Sequence, residues 1–365
     1  MIGVAIGESA AGILLSLLLP LINEYPHILA LYPIMAAARG NIYASLGSRV
    51  TSRLHLGLFS AEKPLEIVER ETPRVLLQSM LSALISATVA LTALAAAEAR
   101  PVSPIEVYGT ALLTPVILTP LLVTLTVYAA TWGFKRGSDP DEYLTPLTTL
   151  ASDLTVLPAV TIAAIMASKL GVLSVTPLML TPLLAARLTR EDRRVLAENM
   201  GAILLGSGIE FVRSYALVSY LEFLNRHPYI LAVLPTFNAE NGAALGVLSS
   251  RLATKLHLGL FTASPRRVIH EALTAYTSSL AAYATTTALA AAALGSLQAA
   301  PLLLLAMAAS GAIVVISMSF VAHVLAFIGF QRGLDPDNIL IPLVTTMTDA
   351  LGTLTLLAVA SLFFA

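Results

Sequence analysis

Residues 133–153 read GFKRGSDPDEYLTPLTTLASD, and residues 329–349 read GFQRGLDPDNILIPLVTTMTD. Aligned without a gap, the two stretches share Gly, Phe, Arg, Gly, Asp-Pro-Asp, Leu, Pro-Leu, Thr and a last Asp. Each opens as a polar loop and runs into a strongly apolar segment, so each carries a carboxylate, Asp153 or Asp349, toward an apolar interior. A charge inside hydrocarbon is costly, and an ionisable residue there is a functional candidate by default. Two of them at matching places in two repeats sharpen that expectation.

The rest of the chain explains why the interior is a membrane. Apolar residues make up 57% of the 365 residues and charged residues only 12%, and runs of about 20 apolar residues, enough to span a bilayer, recur throughout. The expected fold class is an all-α polytopic membrane protein. The net charge of −1 gives no basic face for nucleic acid. Cysteine is absent, which excludes disulfides, thiolate metal sites and cysteine nucleophiles. The opening MIGVAIGESAAG lacks a basic n-region and contains Glu8, so it is not read as a cleaved signal peptide.

Repetition extends beyond the aspartate stretches. Residues 26–59 and 228–261 are identical at 16 of 34 positions, at a constant offset of 202, and both close on LHLGLF. Glu8 and Glu210, and Asn23 and Asn225, match at the same offset, whereas the aspartates are 196 apart. Two fused repeats of this length point to halves related by a pseudo-two-fold axis with a site at their interface. The expected organisation is a first five-helix repeat over 1–171, a linking transmembrane segment over 172–190 and a second five-helix repeat over 191–365.

Charge orients the halves. Spans are expected near 2–22, 28–52, 74–97, 107–131 and 143–170, then 200–223, 230–254, 268–294, 301–327 and 339–364, with 172–188 as an eleventh. With the N-terminus inside, the cytoplasmic loops hold 16 of the 21 Lys and Arg, and the outer loops only Arg100, Lys169 and Arg226. That asymmetry follows the positive-inside rule. It favours parallel halves and places the C-terminus outside; inverted halves would put matching basic loops on opposite sides. The expected location is the cell (plasma) membrane.

The helix leading to Asp349 carries Pro342, Thr345, Thr346, Gly352 and Thr353 on one stripe; the first half offers Pro146, Thr149 and Ser152 before Asp153. Such a stripe faces protein or a watery cavity. Interhelical hydrogen bonding is the simpler expectation for the hydroxyls, and function for the aspartates. Asp139, Asp141, Asp335 and Asp337 suit a turn and a helix cap. Pro33 with Gly40, and Pro235 with Gly242, suggest a kinked or broken second helix. Asn41, Asn238 and Asn241 could offer amide oxygens to an ion or its water shell. Arg39 and Glu240 invite a salt bridge; Glu210 pairs naturally with Arg213 one turn on, whereas Glu8 has no such neighbour. His55 and His257 fit packing or interfacial places, and residues 61–76 read as a solvated linking helix.

Two elements together resemble one family: the Arg39-Gly40-Asn41 stretch running on to Leu-His, and the DPD–P–TT–D stretch. The chain resembles the MgtE magnesium transporters, specifically their solute-carrier-type branch with two fused repeats, over nearly its whole length. The resemblance implies a magnesium-selective pore where two five-helix units meet, complete in one chain, with Asp153 and Asp349 as the pore aspartates and Gly40-Asn41 as the Gly-Asn pair. In the second half Gly242 and Asn238 match, but the asparagine position is Ala243. The sensor and CBS domains of bacterial members have no counterpart here. The supporting ion-shell candidates are Asn41, Asn238, Thr149, Thr345, Glu8, Glu210 and Glu240.

The chemistry fits: Mg²⁺ prefers oxygen, sheds water reluctantly and suits one or two carboxylates touching a hydrated ion, with Mn²⁺ as the related cargo. No cysteine thiolate is present to favour copper or zinc. A proton- or sodium-coupled exchanger using the same carboxylates is the main alternative. An intramembrane aspartyl protease is the remote one, because such proteases share Gly-x-Gly-Asp, whereas Asp153 follows Leu-Ala-Ser and Asp349 follows Thr-Met-Thr. No enzyme activity is expected.

Overall fold

A computed structural model describes residues 2–137, 144–258, 265–332 and 336–364. The described residues are helical throughout, without a strand. The order is α1 (Ile2–Leu17), α2 (Leu19–Glu24), α3 (His27–His55), α4 (Pro64–Ala96), α5 (Pro104–Lys135), α6 (Leu144–Leu170), a 3₁₀ segment (Gly171–Met179), α7 (Leu180–Ala186), α8 (Arg190–Ser219), α9 (Leu221–Arg226), α10 (Pro228–His257), α11 (Pro265–Ala293), α12 (Ala300–Gln331) and α13 (Pro336–Phe363). In hydrocarbon only a helix satisfies its own backbone groups, which is why apolar composition and helical structure go together here. Among the described residues, six helical stretches are long and apolar enough to cross a membrane by length and composition. Helix α8 exposes Leu204 and Leu205, and α12 exposes Ile313 and Val324, the apolar surface expected to meet lipid.

The sequence reading is refined in three places. The expected span over 2–22 is two helices parted at Leu18, where Pro20 sits in the first turn of α2. Helices α3 and α10 run unbroken through Pro33 and Gly40 and through Pro235 and Gly242, so neither is a broken helix. Prolines are absorbed in this way when neighbouring helices support the backbone. Residues 64–76 are not a separate solvated linker. They form the first turns of α4 and bury Glu71 completely.

The chain folds as two compact units, one of residues Leu21–Val218 and one of Met1–Pro20 with Ser219–Ala365. These units cut across the sequence repeats, because the first helix of each repeat packs into the unit built mainly from the other. In the second unit α1 lies on α10: Ser16 Oγ donates to the Pro228 carbonyl at 2.9 Å, and Ser9 Oγ meets Thr236 Oγ1 at 3.2 Å. In the first unit α8 lies on α3, and Ser214 Oγ donates to the Ala30 carbonyl at 2.7 Å. The same contact recurs at offset 202: Gly12, the counterpart of Ser214, abuts the carbonyl of Ala232, the counterpart of Ala30. Small residues at such crossings let backbones approach, which is how helices associate when lipid is as apolar as the side chains.

The link between repeats is built from Gly171 onward. Gly171 turns the chain at φ +53°, a conformation that glycine adopts readily. Beyond it, Ser174 sits against Gly109 near the start of α5, and Arg74 in the first half of α4 holds Asp192 at 3.1 Å. Tyr108 is level with Thr88, through a 2.9 Å hydroxyl contact. Arg74 lies about 21 Å before Thr88 along α4, at 1.5 Å per residue. The 3₁₀ segment and α7 therefore run from one end of the α4–α5 pair toward the other. The 3₁₀ geometry helps: about 2 Å of rise per residue lets a short segment cover more depth than an α-helix would.

Candidate ion site

The second unit brings its half of the aspartate motif together along one helix pair. Helix α13 runs antiparallel to α10 in a constant register. Gly246 faces Thr345, Gly242 faces Asp349, and Asn238 faces Gly352 and Thr353. The spacing of four on both helices produces this ladder, since residues i and i+4 share a face. A Cβ on Gly242 would lie 3.7 Å from Asp349 Oδ1, and one on Gly246 would lie 3.8 Å from the Thr345 methyl. The glycines thus form the floor against which the Asp349 carboxylate rests. Asp349 and Thr345 are half-buried in their unit.

Asn238 bounds the ladder. Its Nδ2 donates to Thr353 Oγ1 at 2.8 Å, which realises the interhelical hydrogen bonding expected for the hydroxyl stripe. Its Oδ1 is buried with no hydrogen-bond partner, and a buried acceptor left unpaired is costly. Asn241 belongs elsewhere. Its Nδ2 donates to the Phe237 carbonyl and its Oδ1 accepts from Tyr283 Oη at 2.6 Å, so its amide fastens α10 to α11. Glu240 is half-buried on the same helix.

The first unit presents the equivalent elements with a different charge pattern. Asp153 on α6 is half-buried. Arg39 on α3 is 5% exposed; its Nε donates to the Met35 carbonyl at 3.0 Å and its Nη1 to the Ser152 carbonyl. The guanidinium lies within electrostatic reach of the Asp153 carboxylate. Spacing along the chain does not pair Arg39 with Asp153; the adjacency of α3 and α6 within one unit does. Asn41 is exposed on the surface of its unit, and no atom crowds the Cβ direction of Gly40.

The remaining candidates separate from these half-sites. Glu8 is buried on α1 beside Ser9, whose hydroxyl meets Thr236 and Thr286. Glu210 is buried on α8 and pairs with Arg213 at 3.7 Å, as its spacing suggested. His55 packs edge-on against Phe134, with ring centres 5.2 Å apart. Asp139, Asp141 and Asp335 lie outside the described residues, as do the side chains of Thr149, His257 and Asp337.

A third polar constellation was not foreseen. Glu71 is fully buried and meets Arg74 at 2.8 Å, Arg53 at 3.2 Å and Arg49 at 3.5 Å. Lys255, the counterpart of Arg53, pairs with Glu271 in the other unit, where His323 also approaches at 3.6 Å. The hint lay in the basic residues that close α3 and α10, which read only as orientation signals.

Among the described residues, no three His, Cys, Asp or Glu side chains cluster as a metal site. Lone carboxylates on separate helices cannot replace a hydration shell, but they can attract an ion that keeps its water, which is how Mg²⁺ is commonly held.

Comparison with known families places this geometry. The family model of the MgtE divalent cation transporters matches residues 32–163 and 234–359, together well over half of the chain. The two matches begin 202 residues apart and end 196 apart, the same offsets as the repeats. No curated protein and no solved structure matches the chain. With each repeat matched by the same model, the chain belongs to the MgtE family of divalent cation transporters.

Proposed function

We propose that this protein moves Mg²⁺ across the cell membrane through a pore between its two repeats, with Asp153 and Asp349 holding one hydrated ion. The observation that carries this reading is the pair itself: each repeat places one half-buried carboxylate at the matching point of its last long helix. Glycine support under Asp349 and the exposed Asn41 amide add oxygen-rich, uncrowded surface suited to a hydrated cation. Thr149, Thr345, Asn238 and Glu240 would line its water shell, and Glu8 and Glu210 would act more remotely. Mn²⁺, with the same oxygen preference, is the related cargo.

The topology belonging to this reading has eleven spans, parallel halves, a cytoplasmic N-terminus and an outer C-terminus. The depth covered between Ser174 and Asp192 supports the linking span, and the concentration of Arg and Lys on one side supports the orientation. Since one chain supplies both halves, a monomer would hold a complete pore. The test is Mg²⁺ flux into liposomes holding the purified protein, with and without a pH gradient. Flux that follows the Mg²⁺ gradient alone supports the pore. Flux that requires a proton or sodium gradient would make the protein a coupled exchanger using the same carboxylates. The absence of divalent flux would refute both.

A further inference from the structure

We infer that Arg39 is a tethered counter-ion that competes with the transported cation for Asp153 and sets how strongly the first repeat draws a divalent ion. This inference rests on the transport reading above and assigns a specificity-determining residue to it. Arg39 sits on α3 with its guanidinium against the Asp153 turn of α6, donating to the Ser152 carbonyl, and it is almost wholly buried. A buried cation requires an anion or acceptors around it, and the Asp153 carboxylate is the anion within its reach. A carboxylate neutralised in this way draws a hydrated divalent ion far less than a free one. The second repeat is built otherwise. The position matching Arg39 is Asn241, a neutral amide already committed to Phe237 and Tyr283. The two half-sites therefore differ in charge although their aspartates match: the first holds the Arg39 cation, and the second has Glu240 where the first has Ala38.

Arg39 Nη2 is buried without a hydrogen-bond partner. It borders a small pocket of about 20 Å³, room for about one water, lined mainly by apolar surface that includes Met35, Ile42, Pro115 and Leu118. The guanidinium therefore stays beside Asp153, and an arriving ion has to compete with it there.

The test uses the full chain, with flux measured in liposomes and melting measured in detergent with a chelator present. Arg39→Gln should lower the Mg²⁺ concentration for half-maximal flux by about threefold or more, the effect of a modest change in local electrostatics. Asp153→Asn alone leaves the buried guanidinium uncompensated and should cut flux by about tenfold; the double variant should stay well below the parent, because the carboxylate that draws the ion is still missing, but above Asp153→Asn, because the uncompensated cation is gone. Melting in chelator should show the same coupling, with the double variant closer to the parent than the two single losses added. Arg39→Lys, which keeps the charge but loses the planar fork, should shift half-saturation the same way by a smaller factor, and it serves if Arg39→Gln does not fold. Coupled melting with half-saturation unchanged in both variants would reduce Arg39 to a structural ion pair and overturn the inference, as would strict additivity throughout. A parent protein that carries no Mg²⁺ would instead refute the transport reading, while the chelator melts would still report on the pair.

Discussion

Replacing Glu71 by Gln should destabilise the unit of residues 21–218 more than any other single charge removal at that end of the bundle. The substitution keeps shape and deletes one charge from a fully buried carboxylate that serves three arginines at 2.8, 3.2 and 3.5 Å. At about 3 Å each contact is worth roughly 5 kcal/mol of gross Coulomb attraction at an effective dielectric near 20. Mutual repulsion among the arginines and their residual hydration, at 14–20% side-chain exposure, reduce this. Breaking a buried pair by removing one partner costs about 3–5 kcal/mol, and the lower end applies here. In a chain of this size that corresponds to a melting shift of about 5 °C. Trp132, the single tryptophan, stacks with Arg136 at 4.0 Å on α5 of the same unit, so its fluorescence reports the loss directly. Glu271→Gln is the matched control, since the Glu271 side chain is 17% exposed whereas that of Glu71 is fully buried. A Trp132 transition moving by less than about 1 °C, or moving more for Glu271→Gln than for Glu71→Gln, would refute the assignment of this cluster as a stability element.

Asp349→Asn and Asp153→Asn should each weaken Mg²⁺ flux in liposomes, and the double change should abolish selective flux; an unaltered double variant would move the site elsewhere, to Glu8 and Glu210 first. Gly12→Ala should destabilise the protein by about 1–3 kcal/mol, because its Cβ would enter the Ala232 carbonyl. Gly40→Ala, with open space at its Cβ, should be neutral or stabilising; thermal melts that reverse this order would refute the packing. Single cysteines at positions 70 and 267 should be labelled by impermeant reagent from the same side of the membrane, and labelling from opposite sides would refute parallel halves.

The helical class, the family, the two-repeat plan and the matching places of Asp153 and Asp349 in the repeats are all legible in the amino-acid sequence. Each of these is written in local or periodic form: apolar runs long enough to span, a constant offset between stretches, a polar stripe at helical spacing. It also carried the Glu210–Arg213 pair, because partners three residues apart on a helix meet whatever surrounds them. Which helices are neighbours emerges from the three-dimensional packing alone. Nothing local shows that α1 packs on α10 and α8 on α3, since the contact between Ser16 and Pro228 joins residues 212 positions apart. For the same reason Arg39, read as a partner for Glu240, proved to lie beside Asp153, and residues 64–76, read as solvated, proved to bury Glu71. A charged side chain in a sequence states what it needs, a counter-ion or water; the packing of distant helices decides which of the two it receives.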